Sequence, residues 1–439
     1  MAKRQDKGTT RAGFINPNQQ KNLEKTSLWN CLISIIKFRS KFAMGKRNFS
    51  ITVGVLAVVV LYFQPPATVN AAGAEKMTYE QAVQRIPARQ LPDFWVGDVK
   101  DLPARWKTLK LGKVSTIATS PGGRPIHLIT YGQLEKVKHA ANFNSAVGGW
   151  DQSAYMDKSA RKKPVVYFVG PVHGQEVENL TGLVNFISVM ETGKDLRGTD
   201  QSALRRLGQQ CRLLIIPAGN PDGIARFKPR SLQAMLNEDL LFWGQGTFSD
   251  DTFCNWPQCK RQHPMKGGNV GFLGCYFNDA GINPMHDEFF DPMGPEAPAI
   301  LRVAKEEGPD LAVSLHSCEF APGVYRPTYV TTEVQKSVLS LARKYYPLLT
   351  RRALPHARPF TVQPEGGDRP KPFNLTSALY HISGATAFTF ECPHGMVGKN
   401  FCTVSLEQIL DIQLLLYEAM LEFALEQKAA SITAPETGK

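Results

Sequence analysis

Two histidines and two glutamates are the residues whose types and spacing could do chemistry in this sequence. His173 and Glu176 stand three residues apart in Pro171-Val172-His173-Gly174-Gln175-Glu176, just after the apolar run Val165–Val169. Gly174 lets the backbone turn sharply between them, so an imidazole and a carboxylate can converge on one point. His316 follows another apolar run, in Ser314-Leu315-His316-Ser317. Two His and one Glu make the three-protein-ligand set of a catalytic zinc site, which keeps a fourth position for water or substrate. Zinc brings the pKa of its water to about 7, and a second carboxylate must then collect the proton and return it to a leaving amine. Glu391, closing Ala387-Phe388-Thr389-Phe390-Glu391, is the candidate, because an acid directly after a buried apolar run needs a reason to be there.

The elements that must position these groups are legible as short runs. Residues 165–169, 213–216, 311–315 and 387–390 read as buried strands, and 176–191, 298–307 and 333–352 as helices. A long helix starts at Ser405 with a capping-box pair, Ser405 and Gln408, followed by Ile409, Ile412, Leu416 and Phe423 along one face. Strands that are continuous apolar runs and alternate with helices predict an α/β domain whose mixed, mostly parallel sheet is covered on both faces. In such a sheet chemistry gathers at the carboxyl ends of the strands, which is where His173, His316 and Glu391 fall.

His-x-x-Glu after a strand, Asn220-Pro221-Asp222-Gly223 after the next, Leu315-His316-Ser317 after a later one and Phe388-Thr389-Phe390-Glu391 near the end resemble, in that order, the zinc carboxypeptidase family. Ser120-Pro121-Gly122-Gly123-Arg124-Pro125-Ile126 looks like that family's early Gly-Arg-Pro-Ile segment. The resemblance spans residues 110 to 425 and implies a central sheet of about eight strands with one Zn2+ at its edge. It implies His173, Glu176 and His316 as ligands and Glu391 as general base and acid. Arg230 would polarise the scissile carbonyl, with Arg226 as the competing choice. The Asn-Arg pair with which the family grips a terminal carboxylate is replaced by Asn278-Asp279, and an acid there would repel a carboxylate. The tyrosine that covers substrate in the family has no counterpart upstream of Tyr380, where Val362-Gln363-Pro364-Glu365 stands.

The expected activity is therefore zinc-dependent hydrolysis of a peptide or peptide-like amide. An amidase or deacylase acting on acylated amino acids or cell-wall peptides is the first alternative, and a binding module without catalysis the second. Simpler readings stand beside each motif. His173 and Glu176 could decorate a helix N-terminus, Asn-Pro-Asp-Gly could be only a tight turn, and Arg230 could be a surface charge. His263, His286 with Asp287, and His394 match no common metal spacing and read as exposed or hydrogen-bonded. Cys318 and Cys392 read as packing residues, and the aromatic stretches 241–243 and 272–277 as the packing of a long active-site loop.

The net charge of +12 over 439 residues suggests nucleic acid until it is divided along the chain. Residues 1–47 hold eleven Lys/Arg and two acids, which leaves 40 bases against 37 acids from residue 75 onward, so no nucleic-acid partner is expected. The basic stretch precedes an uncharged apolar run, 51–63, and the small-residue stretch 68–74. Thirteen residues are too short for a helix across a hydrocarbon core of about 30 Å. The pattern fits a secretory signal cut after Ala71 or Ala74, with Met44 as a start of ordinary proportions and 1–43 untranslated or dispensable. The competing reading is an uncleaved membrane anchor through 51–63, and both put the body in an exported compartment. Cys31 lies in the leader. Of the seven body cysteines, Cys254 with Cys259 and Cys392 with Cys402 are the pairs that could bridge. The organisation expected is a leader (1–74), an extension packed on the catalytic domain (75–109), the catalytic domain (110–428) and a flexible tail (429–439).

Overall fold

The computed structural model describes residues 75–256, 258–364 and 371–433. The leader with its apolar run 51–63, Cys31 and Met44, together with Glu365 and residues 434–439, lies outside the described residues. Among the described residues nine strands run in chain order: β1 Lys113–Thr119, β2 Pro125–Tyr131, β3 Val165–Val169, β4 Arg212–Ile216, β5 Gly246–Phe248, β6 Val270–Leu273, β7 Leu311–Cys318, β8 Gly323–Tyr325 and β9 Thr386–Pro393. Seven form one sheet in the order β1-β2-β4-β3-β7-β9-β8, and β5 and β6 pair separately. The sheet thus has seven strands among the described residues, where about eight were expected.

β4, β3, β7 and β9 are mutually parallel, and antiparallel partners close both edges: β2 with β1 on one side, β8 on the other. The four central strands are the four apolar runs seen in the sequence, because each is buried on both faces. Val166, Phe168, Leu213, Ile215, Val313 and Phe388 enter one core layer, with Phe186 and Tyr417. Their neighbours Val165, Tyr167, Val169, Leu214, Ile216, Ala312 and Ala387 enter the other, with Ile300 and Leu379. Period-two alternation therefore divides apolar from apolar rather than apolar from polar.

The helices lie within two residues of their expected bounds. Val177–Thr192 ends at Gly193 in a left-handed conformation (φ 82°), and Glu296–Glu307 ends at Gly308 (φ 49°). Thr332–Arg351 is capped by the Thr331 side chain. Ser405 and Gln408 form the expected reciprocal cap, Gln408 N–H to Ser405 Oγ at 3.2 Å and Ser405 N–H to Gln408 Oε1 at 2.9 Å. The helix they open runs Leu406–Thr433. No helix among the described residues is long and apolar enough to cross a membrane.

Phe94, Trp95 and Trp106 of the extension are buried in the first core layer. The extension is also tied to the Val177–Thr192 helix: Thr181 Oγ1 accepts from Val96 N–H (3.0 Å), and Asn185 Nδ2 donates to the Phe94 carbonyl (2.9 Å). All seven described cysteines are free thiols, so neither of the pairs suggested by spacing is bridged.

One buried acid makes a stability prediction. Glu296 is fully buried; Asn278 Nδ2 donates to its Oε2 at 3.0 Å, while Oε1 has no hydrogen-bond partner. Burial pushes its carboxyl up to about 7 from 4.5. A folded-state pKa raised above the unfolded one contributes stability that is complete below about pH 4.5 and is lost as pH rises through 7. The difference is worth up to about 3 kcal/mol at alkaline pH. Glu296→Gln is expected to be more stable than the parent at pH 8 and to lose the share of the decline between pH 5 and 8 that Glu296 contributes. Parallel stability curves for the two proteins in denaturant titrations across that range would refute this.

Candidate metal centre

His173 sits four residues beyond β3, in a turn closed by Glu176 N–H to the His173 carbonyl at 3.1 Å. Gly174 donates its N–H to the Cys275 carbonyl at 2.7 Å, and a Cβ at this position would run into the Gly223–Ile224 peptide. Only glycine permits that approach. The Asn-Pro-Asp-Gly segment is therefore more than a turn. Asn220 caps the helix Pro221–Arg226 by accepting from Gly223 N–H (3.0 Å), and its Nδ2 donates to the Val172 carbonyl (3.1 Å), buttressing the residue before His173.

His316 and Glu391 are brought together by register. In the parallel β7/β9 pair they are direct partners, so both side chains project from the same face at the carboxyl end of the sheet. His316 Nε2 faces Ser314 Oγ at 3.0 Å, which turns Nδ1 toward the His173 loop. There three donor atoms meet. His173 Nδ1 lies 2.8 Å from Glu176 Oε1 and 3.3 Å from His316 Nδ1, and Glu176 Oε2 lies 3.1 Å from His316 Nδ1. That last contact lacks hydrogen-bond alignment, which leaves Oε2 buried and unsatisfied.

The donor set fits zinc. Bonds of about 2.0–2.1 Å in a tetrahedron hold ligand atoms about 3.3 Å apart, close to the spacings observed. Two imidazole nitrogens and a carboxylate aimed at one point share a cation more readily than one proton. Electrostatics agree. Burial opposes the charge of Glu176, yet His173 and His316 hold its carboxyl down to about 2. Burial also works against His316, but Glu176 raises its pKa; burial prevails at His173 and lowers it. Glu391 is pushed the other way, up to about 7, by burial, with His316 opposing and Glu176 reinforcing. A carboxyl near 7 beside three ligand atoms can exchange a proton at neutral pH.

The four residues line a cleft of about 240 Å³ together with Leu240, Trp256, Lys260, Tyr276, Asn283, Met285, His286, Ser317, Cys318 and Glu319. The Tyr276 ring packs on His173 with centroids 4.1 Å apart. His173, Glu176 and His316 are the one group of three that could hold a metal among the described residues. Of the other histidines singled out, His263 accepts from Asn283 N–H (2.8 Å), His394 is buried against Glu178 (3.2 Å), and His286 is hydrogen-bonded to Lys260 Nζ (2.8 Å) and lines the cleft.

A buried web steadies the ligands from behind. Asn179 Nδ2 donates to Ser317 Oγ (3.1 Å) and the Glu176 carbonyl (3.3 Å). Asn179 Oδ1 accepts from Gln413 Nε2 (2.6 Å), and Gln413 Oε1 accepts from Tyr417 OH (2.7 Å). The helix Leu406–Thr433 is thereby bonded to Asn179, which in turn holds the Glu176 carbonyl and the neighbour of His316.

Three expected site residues are not brought to the cleft. Arg230 pairs with Asp98 at 2.8 Å and donates to the Ile224 carbonyl at 3.0 Å, while its own carbonyl accepts from Trp95 Nε1 at 2.8 Å. It ties the extension to the body, in a left-handed conformation (φ 60°). Arg226, its competitor, donates to the Gly274 and Phe277 carbonyls, both at 3.0 Å, and to Asp279. Asn278 is fully buried, its side-chain oxygen accepting from Ala280 and Ile282 N–H and its amide held by Glu296. Asp279 is held between Arg226 and Arg124, and Arg124 also pairs with Asp222 at 2.8 Å. Two arginines and two aspartates meet here, so the charge of Asp279 is compensated.

The sequence model of the zinc carboxypeptidase family matches residues 108–367. Solved structures with similar folds include a metallo-carboxypeptidase from Burkholderia cenocepacia, 15% identical over 74% of this chain and 67% of its own, with a TM-score of 0.44. Another is the Pseudomonas aeruginosa metallo-carboxypeptidase in complex with (2-guanidinoethylmercapto)succinic acid, 16% identical over 74% and 68%, with a TM-score of 0.41. No curated protein sequence matches the chain. With the family match covering more than half its length, the chain belongs to the zinc carboxypeptidases and is a zinc metallopeptidase.

Proposed function

We propose that this protein hydrolyses a peptide or peptide-like amide, with His173, Glu176 and His316 holding one zinc ion and Glu391 moving the proton. The observation that carries the reading is the convergence of three donor atoms within 4.8 Å of one another, with Glu391 in register beside His316. Zinc, when bound, supplies a Lewis acid that polarises the carbonyl and makes water a nucleophile near neutral pH. Glu391, with its carboxyl near 7, takes a proton from the attacking water and delivers it to the departing nitrogen. His316 is kept in one orientation by Ser314, and Tyr276 covers the His173 ring from the cleft side.

Asp279 was the sequence feature that favoured an amidase or deacylase over a peptidase, and its pairing with Arg124 and Arg226 removes that ground. We also place the body outside the cytoplasm, on the pattern of the leader alone. Metal analysis of the purified protein is expected to give one zinc per chain, with hydrolysis of acylated dipeptides lost on chelation and restored by zinc. Sequencing the N-terminus of the same product is expected to begin at Ala72 or Glu75. Full hydrolysis by the zinc-free protein would end the reading, and an intact Met1 on a cytosolic product would end the export proposal.

A further inference from the structure

One buried pair of charges behind the metal centre has no part in the reaction as proposed. Glu178 and His394 are both fully buried, with His394 Nδ1 3.2 Å from Glu178 Oε1. The contact lacks hydrogen-bond alignment, and neither carboxylate oxygen nor ring nitrogen has a hydrogen-bond partner among the described residues. Burial opposes the charge of His394, but Glu178 raises its pKa, so the imidazolium is favoured.

The two residues stand where the parts of the centre join. Glu178 lies two residues after the candidate ligand Glu176, in the first turn of the helix Val177–Thr192. His394 lies one residue past β9 and three past Glu391, and its N–H donates to the carbonyl of Cys318 (2.9 Å), which ends β7 two residues after His316. Gly395, next in the chain, is left-handed (φ 72°) and takes Ala234 N–H on its carbonyl (2.9 Å); a Cβ there would lie 2.7 Å from the Val404 carbonyl oxygen. The backbone of His394 is thus fixed to the strands that bear His316 and Glu391, while its side chain reaches the helix that begins beside Glu176.

Stability does not account for such a pair. Burying two charges costs solvation that their attraction only partly returns, and well-packed apolar residues of similar volume are often as stable or more so. Apolar contact is also non-directional, whereas two opposite charges in one cavity hold each other in place. The Asn179 web ties the same helix to β7 through Ser317; the charge pair ties it to the end of β9.

We propose that Glu178 and His394 are positioning residues of the metal centre, and that their buried pair sets the turn carrying His173 and Glu176 against the strands carrying His316 and Glu391. The proposal rests on the zinc-hydrolase reading and deepens it.

The test measures the zinc affinity of the full chain by competition with a chromophoric chelator, with Tm beside it. Glu178→Gln and His394→Gln are each expected to weaken zinc binding about 10–100-fold, the range for residues that support metal ligands from behind. Each also lowers Tm, because each leaves a buried charge unpaired. The double variant Glu178→Leu/His394→Leu leaves no such charge; it is expected to regain at least the parental Tm while its zinc affinity stays down by about 10-fold or more. Parental affinity in the double variant overturns the inference, since the pair would then serve the core alone. Single variants that move affinity in opposite directions, His394→Gln upward and Glu178→Gln downward, also overturn it, because charge acting on a dication without positioning gives that pattern. If neither single variant folds, the double variant decides. A parent that binds no zinc overturns the functional reading and takes this inference with it, whereas a zinc-binding parent with unaffected variants overturns this inference alone.

Discussion

Glu391→Gln is expected to retain zinc at parental stoichiometry and to lose about 10²–10⁴ of kcat, the contribution typical of a positioned general acid–base group. Glutamine keeps the volume and the β9 backbone, and Glu391 is outside the group of ligand atoms, so the metal centre itself should survive. What disappears is the ability to accept and return a proton. The pH profile sharpens the test. Glu391 must be ionised to act as base, and burial raises its carboxyl, so kcat/KM of the parent should fall toward acid pH, and the residual activity of the variant should lose that limb. Near-normal turnover of a zinc-loaded Glu391→Gln protein would remove Glu391 from the chemistry.

Gly174→Ala is the second large effect, and it works through the backbone. The new methyl would meet the Gly223–Ile224 peptide, and peptide atoms cannot swing aside as the end of a flexible side chain can. Overpacking of this kind costs about 1–3 kcal/mol. Relief by moving the 172–176 turn would shift His173 and Glu176 against His316, and misplaced supporting geometry costs about 10–100-fold in metal affinity. Competition with a chromophoric chelator should report that loss together with a lowered Tm. If zinc affinity and Tm both match the parent, the close packing of this turn on the Asn220-capped helix does not govern the centre.

His173, Glu176, His316 and Glu391 were legible in the sequence because each lies at or just beyond the carboxyl end of a strand buried on both faces. Such strands advertise themselves as unbroken apolar runs, and the parallel register that joins His316 to Glu391 follows from them. The cleft wall was not legible. Trp256, Lys260, Tyr276 and His286 come from 240–294, where strands are three or four residues long and placement depends on distant contacts such as Gly174 N–H to the Cys275 carbonyl. His286 gave a weak signal as a histidine without an assignment, and Lys260 gave none. Arg230, Asn278 and Asp279 were assigned by distance from a motif, which cannot see that Asp98, Glu296 and two arginines are waiting for them. The edge strands escaped notice for separate reasons: β1 is largely exposed, β2 breaks its buried positions with exposed and half-buried ones, and β8 is only three residues long.

The web that joins Asn179 to Gln413 and Tyr417 has a consequence for biogenesis. Two candidate metal ligands are encoded before residue 177 and the third at 316, yet the hydrogen bonds that brace them are completed only by a helix ending at 433. A polypeptide that stops short of this helix carries all three candidate ligands but lacks their brace, so firm capture of an ion waits until the helix has been made and packed.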